Sequence, residues 1–373
     1  MTFKDAYRSD CSDDEYVRLA RQKEIAILIL SIYPDYCRQA IDIRCQNRPY
    51  PVAFTEDGTQ VICGDNDRTF RRWRIDDGQE IGTPVKTGGR VHGIETSKDG
   101  RWIVLTEGQM VVVRDARTNI KVLEIGEHKG QVGAIDVSAD SMKIASGSDD
   151  DTAYVFSIIT GKKLLGPLEH NANVIGVKFS PSGKQIATAT PAFVRFWDAK
   201  TGEKLINIPV VSVSYPVMPF AWSSDDQYLF AATPGWITCI DVSTSARLDS
   251  WSFPSHDTQP PVLVSNGRFI ACCTGLSVYF LDVSSRTQVG PIIKFPAVVR
   301  SIALSSGGSY LACGRVDNII SVYSLRGVLP QSVLLDVNTY ASVPQLPSDF
   351  SKASALRAVD EHQRCDVQTV DRM

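Results

Sequence analysis

The sequence predicts an all-β fold, a seven-bladed β-propeller built from four-stranded antiparallel blades. Two observations lead to this prediction: a repeated turn signal, and apolar residues that alternate around each copy of it. A short turn-like pair recurs with its second residue, here called the mark, at positions 58, 100, 141, 183, 226, 267 and 308, which are 41 to 43 residues apart. Seven marks at so even a spacing indicate seven copies of one structural unit.

Apolar residues keep a fixed position relative to each mark. The third residue after the mark is aliphatic in all seven copies: Val61, Ile103, Ile144, Ile186, Leu229, Ile270 and Leu311. Apolar residues also stand four and six positions before most marks, and this spacing of two predicts strands with one buried face. Each copy therefore predicts four strands joined by turns, and a four-stranded repeat of about 40 to 45 residues is typical of a propeller blade.

The ring is predicted over residues 39–327, between an N-terminal extension at 1–38 and a C-terminal extension at 328–373. Ser12-Asp13-Asp14-Glu15 has the spacing of a capping box and predicts a helix toward Leu30, although the apolar run from Ile25 to Leu30 also fits a buried strand. The tail from Asn338 onward is polar, and we expect it to be partly disordered.

Composition narrows the possible functions. Lys and Arg number 39 and Asp and Glu number 42, so the net charge of −3 gives no general attraction to nucleic acid or anionic lipid. The apolar run Ile25 to Leu30 is too short to cross a bilayer and follows acidic residues, which argues against a signal peptide. The nine cysteines contain no C-x-x-C pair, so we expect no zinc site and a reducing compartment, the cytoplasm or the nucleus.

Three segments resemble the WD40-repeat family: FSPSGKQIATATPAFVRFWDAKTGEKL (Phe179 to Leu205), ASGSDDDTAYVFSIITGKKL (Ala145 to Leu164) and CGDNDRTFRRWRIDDGQEIG (Cys63 to Gly82). The resemblance extends over roughly residues 40 to 326 on the basis of the repeat period. The repeats are divergent, because Trp197-Asp198 is the only Trp-Asp pair. The other blades carry Trp73, Arg114, Phe156, Ile240, Leu281 and Tyr323 at the Trp position.

The resemblance implies a structural set of His, strand Ser or Thr, turn Asp and Trp, joined by hydrogen bonds. In blade 3 it maps onto His128, Ser146 and Asp150, with Phe156 in place of Trp, and in blade 4 onto His170, Thr188 and Trp197. We interpret these residues as structural, together with Asp67, Trp73, Asp198 and Asp317.

The Asp position follows the length of the turn. Asp67, Asp150 and Asp317 lie nine residues after their marks in the three blades whose turn is one residue longer. We expect them to accept hydrogen bonds from backbone amides rather than to bind calcium. The shorter turns of blades 2, 4, 5 and 6 are expected to need no such anchor.

Ring closure has two candidate strands. In the family's usual arrangement the segment before the first blade supplies the outer strand of the last one, which points to AIDIRC, Ala40 to Cys45. The competing candidate is SVLLDV, Ser332 to Val337, directly after the last inner strands. We favour the N-terminal candidate.

Catalysis is not indicated. The sequence contains no nucleophile elbow, phosphate loop or metal triad, so we expect no enzyme activity, no cofactor and no metal. The inner strands offer Glu95, Asp136 and Lys178, which are expected on different blades without a paired partner. The basic cluster Arg71, Arg72 and Arg74 is interpreted as a solvated edge and not as a nucleic-acid site.

The resemblance implies a protein-interaction scaffold or adaptor. Its partners would be other proteins or peptides, with no nucleic acid and no membrane, and the chain itself would be a monomer. Alternatives are a substrate receptor of a cullin-type ubiquitin ligase, a sensor module of a larger signalling assembly and, more distantly, a propeller enzyme. Two segments come close to the receptor motif Trp-Asp-x-Arg, and each departs from it at one position. They are Arg114-Asp115-Ala116-Arg117, which lacks the Trp, and Trp197-Asp198-Ala199-Lys200, which has Lys in place of Arg.

The partner surface is predicted on the face that carries the loops into the first strands and the turns between second and third strands. Aromatic residues and arginines dominate binding energy at protein interfaces, and the predicted contacts are Arg48, Tyr50, Arg68, Arg90, Phe193, Tyr215, Trp236, Arg300 and Arg315. Arg68, Arg90, Arg300 and Arg315 fall on neighbouring blades and predict a basic sector for an acidic peptide. The alternative is scattered, solvated arginines and aromatics packed on their own blades.

Overall fold

The predicted seven-bladed propeller is confirmed by the computed structural model, which describes residues 39–64, 67–210, 219–233, 235–252 and 261–334. The chain forms seven four-stranded antiparallel sheets. The innermost strands of successive blades contact one another in cyclic order, and the first blade contacts the seventh. Each sheet therefore packs both of its faces against neighbouring sheets around a central channel.

The first four blades follow the chain from its inner to its outer strands. Blade 1 contains β2 (Val52–Phe54), β3 (Gln60–Gly64), β4 (Thr69–Arg74) and β5 (Val85–Lys86). Blade 2 contains β6 (Val91–Thr96), β7 (Trp102–Glu107), β8 (Met110–Asp115) and β9 (Lys121–Ile125). Blade 3 contains β10 (Val132–Val137), β11 (Lys143–Ser148), β12 (Thr152–Ser157) and β13 (Lys163–Glu169). Blade 4 contains β14 (Gly176–Phe179), β15 (Gln185–Ala189), β16 (Phe193–Asp198) and β17 (Lys204–Pro209).

The last three blades complete the ring, and the seventh takes its outer strand from the start of the ring. Blade 5 contains β18 (Phe220–Trp222), β19 (Tyr228–Thr233), β20 (Trp236–Asp241) and β21 (Arg247–Ser252). Blade 6 contains β22 (Val262–Ser265), β23 (Phe269–Thr274), β24 (Ser277–Asp282) and β25 (Ile293–Lys294). Blade 7 contains β26 (Val299–Leu304), β27 (Tyr310–Arg315), β28 (Ile319–Ser324) and β1 (Gln39–Arg44).

The core lies between the blades. All seven aliphatic residues three positions after the marks are fully buried, at 0% exposure. The apolar clusters cross from one blade to the next. For example, Phe196 of blade 4 packs edge-on against Trp222 of blade 5, with ring centroids 5.6 Å apart. Because apolar burial is the main favourable term in folding, each blade depends on its neighbours for its core.

The inner hairpin turns share a hydroxyl that the turn signal alone did not predict. Six of the seven turns have a buried Ser or Thr three residues before the mark: Thr55, Ser97, Ser138, Ser180, Ser223 and Ser305. In blade 2, Ser97 Oγ donates to Asp99 Oδ1 at 2.5 Å and accepts from the Trp102 backbone N–H at 2.9 Å. The hydroxyl thereby fixes the turn geometry, and its spacing was visible in the sequence.

The N-terminal candidate closes the ring. β1 pairs antiparallel with β28, with Asp42 opposite Ser321. Ser321 Oγ donates to Asp42 Oδ1 at 2.6 Å, and the Arg315 guanidinium lies 3.7 Å from the same carboxylate. Strand pairing, a hydrogen bond and an ion pair therefore hold the closure together.

The C-terminal candidate does not form a strand in its described part. Residues 332–334 form a turn beside blade 6, and 335–337 lie outside the described residues. Asn266 Nδ2 donates to the Val333 carbonyl at 3.1 Å, and Val333 and Leu334 are buried in the same apolar cluster as Phe269. This segment covers the core of blades 6 and 7 without extending a sheet.

The solvated-edge interpretation of the blade 1 arginines is wrong for Arg71 and Arg72, which are buried. Arg72 donates to the Ala116 carbonyl at 2.5 Å and to Asn119 Oδ1 at 2.8 Å, both in blade 2. Arg71 Nη1 pairs with Glu80 at 3.1 Å. Only Arg74 is exposed. Buried guanidinium groups keep their charge and need several acceptors, and here those acceptors join neighbouring segments.

The expectation that the channel charges lack partners is also wrong. Lys178 Nζ lies 2.9 Å from Asp136 Oδ1 and 3.9 Å from Glu95 Oε1, so one ammonium bridges blades 2, 3 and 4. Burial alone would lower the pKa of Lys178, but the two carboxylates raise it above its usual value. Lys178 lies closest to Asp136, and burial raises the pKa of Glu95, the more distant carboxyl.

Deleting residues 1–50 is expected to lower the melting temperature further than deleting residues 1–35. The shorter truncation keeps β1, while the longer one removes it, exposes the edge of β28 and removes the Asp42 carboxylate from Ser321 and Arg315. Thermal unfolding followed by circular dichroism measures the difference. Equal melting temperatures for the two truncations would contradict closure by β1.

Candidate functional site

One end of the propeller carries two sets of loops that are hydrogen-bonded to each other, and we call this end the loop face. The loops entering the inner strands meet the turns between the second and third strands of each blade. Gly88 N donates to Glu107 Oε2 at 2.7 Å, and Val299 N donates to the Gly275 carbonyl at 2.9 Å. Loops fixed in this way present side chains on a rigid support.

Tyr50 lies at the centre of the predicted basic sector. It precedes β2, it is half-buried, and the charges of Arg90 and Arg300 on the two neighbouring blades both act on its phenol. Burial raises the pKa of Tyr50, and the two arginines oppose this effect without reversing it. The phenol therefore stays protonated at neutral pH and provides a hydrogen-bond donor between two cations.

The exposed arginines of the loop face have no partner among the described residues, whereas the buried arginines of the blades are paired. Arg48, Arg68, Arg90 and Arg300 are exposed, and their side chains make no hydrogen bond or ion pair with any other described residue. Arg72, in contrast, is buried against acceptors of the next blade. An exposed guanidinium without an intramolecular acceptor keeps its donors for an external acceptor.

Arg315 does not belong to this set, and its predicted place in the basic sector is wrong. It is 6% exposed, and Arg315 Nη1 donates to Ser321 Oγ at 3.0 Å. Its guanidinium is paired with Asp317 and lies near Asp42. Two carboxylates neutralise its charge, so Arg315 contributes to the blade 7 closure and not to a surface.

Besides Tyr50, the described aromatic contacts of the prediction lie on blades 4 and 5. Trp236, the first residue of β20, is 49% exposed. Phe193, the equivalent first residue of β16, is half-buried with the Arg195 guanidinium 6.0 Å from its ring centroid. Tyr215 lies outside the described residues. The structure therefore places Phe193 and Trp236 on blades other than those carrying the arginines, whereas Tyr50 lies with the arginines.

Two histidines pin loops to strands, as the resemblance implied. His128 Nε2 lies 2.7 Å from Ser146 Oγ, and its Nδ1 lies 3.1 Å from Asp150 Oδ2. In blade 4, Thr188 Oγ1 lies 2.8 Å from His170 Nε2 and accepts a hydrogen bond from Trp197 Nε1 at 2.8 Å. The equivalent loops of the two blades are thus held by a histidine whose hydrogen-bonded set is completed by a carboxylate in blade 3 and by an indole in blade 4.

Blade 2 contradicts the expectation that short turns need no anchor. Glu107 in its turn accepts from Gly88 N, and Arg114, at the Trp position, lies 3.3 Å from Glu107 Oε1. Both side chains are buried. An ion pair therefore replaces the His and Trp of other blades. The available signal in the sequence was Arg114, the one charged residue at the Trp position, with the opposite charge of Glu107 seven residues before it.

The remaining predicted structural residues lie away from the loop face or have local partners. Asp67 Oδ1 accepts from Thr69 Oγ1 at 2.6 Å, and Trp73 is buried in the core of blade 1. Asp198 Oδ1 accepts from the Thr201 N–H at 2.7 Å in the turn after β16. Asp317 pairs with Arg315 rather than with a backbone amide.

Replacing Asp150 by Ala is expected to destabilise the fold by about 1 to 3 kcal/mol, because a part-buried acceptor is lost. Asp150 accepts from Lys129 N at 2.7 Å and from Thr152 N at 3.1 Å, besides His128. Asp149→Ala is the matched control, since Asp149 is exposed and accepts only from Asn173 at 3.2 Å among described residues. Denaturant unfolding measures both. An equal loss in the two variants contradicts the anchoring role.

Asp151→Ala is unsuitable as a control. The backbone of Asp151 has a φ of 65°, which alanine adopts less readily than aspartate, so the substitution itself would strain the turn.

His170 is expected to make the fold less stable as the pH falls from 6.5 to 4. Burial, aided by the charge of Arg195, lowers the pKa of His170 to about 4 from an ordinary value of 6.5. Between these values the unfolded chain binds a proton that the folded chain does not, so stability falls with pH. His170→Gln is expected to show a smaller fall in melting temperature over this range. Thr188→Val is the control, because it breaks the same hydrogen bond but keeps the imidazole. A fall in His170→Gln as large as in the wild type would contradict the assignment.

Sequence comparisons agree with this architecture. The family model "WD domain, G-beta repeat" matches residues 119–157, 162–198 and 290–324. Among curated relatives, "Small ribosomal subunit protein RACK1" of Drosophila melanogaster is 32% identical over 32% of this chain and 40% of its own length. "WD repeat-containing protein 1" of Rattus norvegicus is 23% identical over 71% of this chain and 44% of its own length. "Transcription initiation factor TFIID subunit 5" of Caenorhabditis elegans is 27% identical over 37% of this chain and 22% of its own length.

The matched region spans less than half the length of each of these relatives. No helix among the described residues is long and apolar enough to cross a membrane. The same residues contain no cluster of three or more His, Cys, Asp or Glu side chains placed to hold a metal ion. The family-model matches and the seven four-stranded blades together show a chain that carries WD40 repeats and forms a seven-bladed propeller, with repeats that are divergent in sequence.

Proposed function

We propose that the protein is a non-catalytic scaffold or adaptor that binds partner proteins or peptides on its loop face. The observation that carries the proposal is a set of exposed arginines on the loop face that have no partner among the described residues: Arg48, Arg68, Arg90 and Arg300. The charges of two of them, Arg90 and Arg300, act on Tyr50. A surface with several free guanidinium groups beside a neutral phenol suits an acidic segment of a partner.

Several observations support a binding role over catalysis. The channel charges Glu95, Asp136 and Lys178 are paired with one another. His128 and His170 are occupied in loop anchoring. Burial raises the pKa of the Cys272 thiol to about 12, which makes it a poor nucleophile at neutral pH. The printed names of two relatives describe a ribosomal protein and a subunit of a transcription factor, both components of larger assemblies.

We propose protein partners rather than nucleic acid or membrane, because the chain carries a net charge of −3 and the free arginines are few. An intracellular location fits the six free cysteines of the described residues. The ubiquitin-ligase alternative receives less support: Arg114, at the Trp position of one incomplete motif, is buried against Glu107, and Asp198 of the other is used within its own turn.

The test is affinity capture of partners from the native organism, quantified by mass spectrometry. Arg90→Glu combined with Arg300→Glu is expected to reduce recovery of direct partners about tenfold or more, because both cations beside Tyr50 become anions. The matched control is Arg117→Glu with Arg247→Glu, which makes the same charge change at exposed positions near the opposite end of the blades. Full recovery with the first double variant, at unchanged melting temperature, contradicts binding at this face.

A further inference from the structure

The basic sector of the loop face continues directly into exposed apolar residues. Leu276, in the turn before β24 of blade 6, is 43% exposed. Trp236, at the start of β20 in blade 5, is 49% exposed. Isolated exposed apolar side chains are common, but these two lie in equivalent turns of adjacent blades at the loop face, and the turn of Leu276 contacts the loop that enters blade 7.

The junction between the two regions is rigid. The Gly275 carbonyl accepts from Val299 N at 2.9 Å, and the Leu276 carbonyl accepts from Phe295 N at 2.8 Å. Leu276 and Arg300 therefore follow residues that are directly hydrogen-bonded to each other. The charges of Arg300 and of Arg90 in blade 2 both act on Tyr50 in blade 1. One short peptide can accordingly place an apolar side chain on Leu276 and an acidic side chain on Arg300.

The other border of the basic sector is charged. In blade 3 the turn between β11 and β12 exposes Asp149, whose charge acts on His92, close to Arg90. The blade 3 border therefore carries charged side chains of both signs, Asp149 and Lys129, whereas the blade 6 border carries the exposed apolar side chain of Leu276. The blade 6 border is the one that offers an apolar contact to a ligand that extends from the arginines.

We propose that the loop face recognises a peptide in which an acidic stretch adjoins a large apolar residue. The acidic side chains lie on Arg90, Tyr50 and Arg300, and the apolar side chain packs on Leu276 toward Trp236. This inference rests on the proposed function and adds the chemistry of the partner. The arginines supply charge-assisted hydrogen bonds, and the apolar contact fixes the register and direction of the peptide.

The test uses the purified full-length protein and three fluorescent synthetic peptides of equal length. The first has Asp and Glu followed by Leu-Phe, the second has Ser-Ser in place of Leu-Phe, and the third has Gln in place of every acid. In about 0.1 M salt, fluorescence anisotropy is expected to show the first peptide binding about tenfold more tightly than either of the others. Arg300→Glu is expected to weaken both acidic peptides.

Leu276→Ser provides the decisive comparison. It is expected to reduce the affinity for the first peptide to that of the second, and to leave the second unchanged. Leu164→Ser is the matched control, because Leu164 is 47% exposed but lies on the outer strand of blade 3. The inference is overturned if no peptide binds, or if Leu276→Ser binds the first peptide as tightly as the wild type does. If cellular partners are lost in the Arg90 and Arg300 double variant while Leu276→Ser has no effect, the proposed function stands and this inference fails.

Discussion

The pairing of β1 with β28 is the constraint on which the rest of the molecule depends. Each blade has two large apolar faces, and these are covered mainly by the neighbouring blades. An open row of seven blades would leave an exposed core at both ends and a last blade of three strands. β1 pairs with the edge of β28 and completes blade 7, and contact between blades 7 and 1 buries the two remaining faces. The arginines of the loop face come together only in the closed ring, since Arg300 is on blade 7 and Arg90 on blade 2.

Different blades use different side chains to hold the loop that enters their inner strand. A loop must be held against the strand pair below it, and its buried polar groups must be satisfied. Blade 3 uses an imidazole with a carboxylate, blade 4 an imidazole with an indole, and blade 2 a carboxylate with a guanidinium. What is preserved among these blades is the position of a polar contact and not the residue that makes it. This explains why the repeats diverge in sequence while the strand register stays constant.

The fold could be predicted from the sequence because its signals are local and repeated. The marks, the aliphatic residue three positions later and the alternating apolar residues depend only on strand geometry within one blade. The errors concern contacts between blades. Arg72 reads as part of a charged edge until blade 2 supplies its acceptors. Lys178, Asp136 and Glu95 stand more than 40 residues apart in sequence and meet only across the channel. Arg315 looked like a surface cation because, besides the nearby Asp317, the strand that covers it and carries Asp42 comes from the far end of the ring.

The arginines of the third strands make contacts between blades, and these contacts limit how far one repeat can replace another. Arg72 of blade 1 reaches blade 2, Arg114 of blade 2 approaches the Lys86 carbonyl of blade 1, and Arg195 of blade 4 donates to the Glu169 carbonyl of blade 3. Each guanidinium is placed against acceptors of one particular neighbour, most of them backbone carbonyls. The units are therefore no longer interchangeable, although they share one architecture. Exchanging two blades, or duplicating one, would bury a cation beside the wrong surface, so the chain has lost the freedom to grow or shuffle by whole repeats.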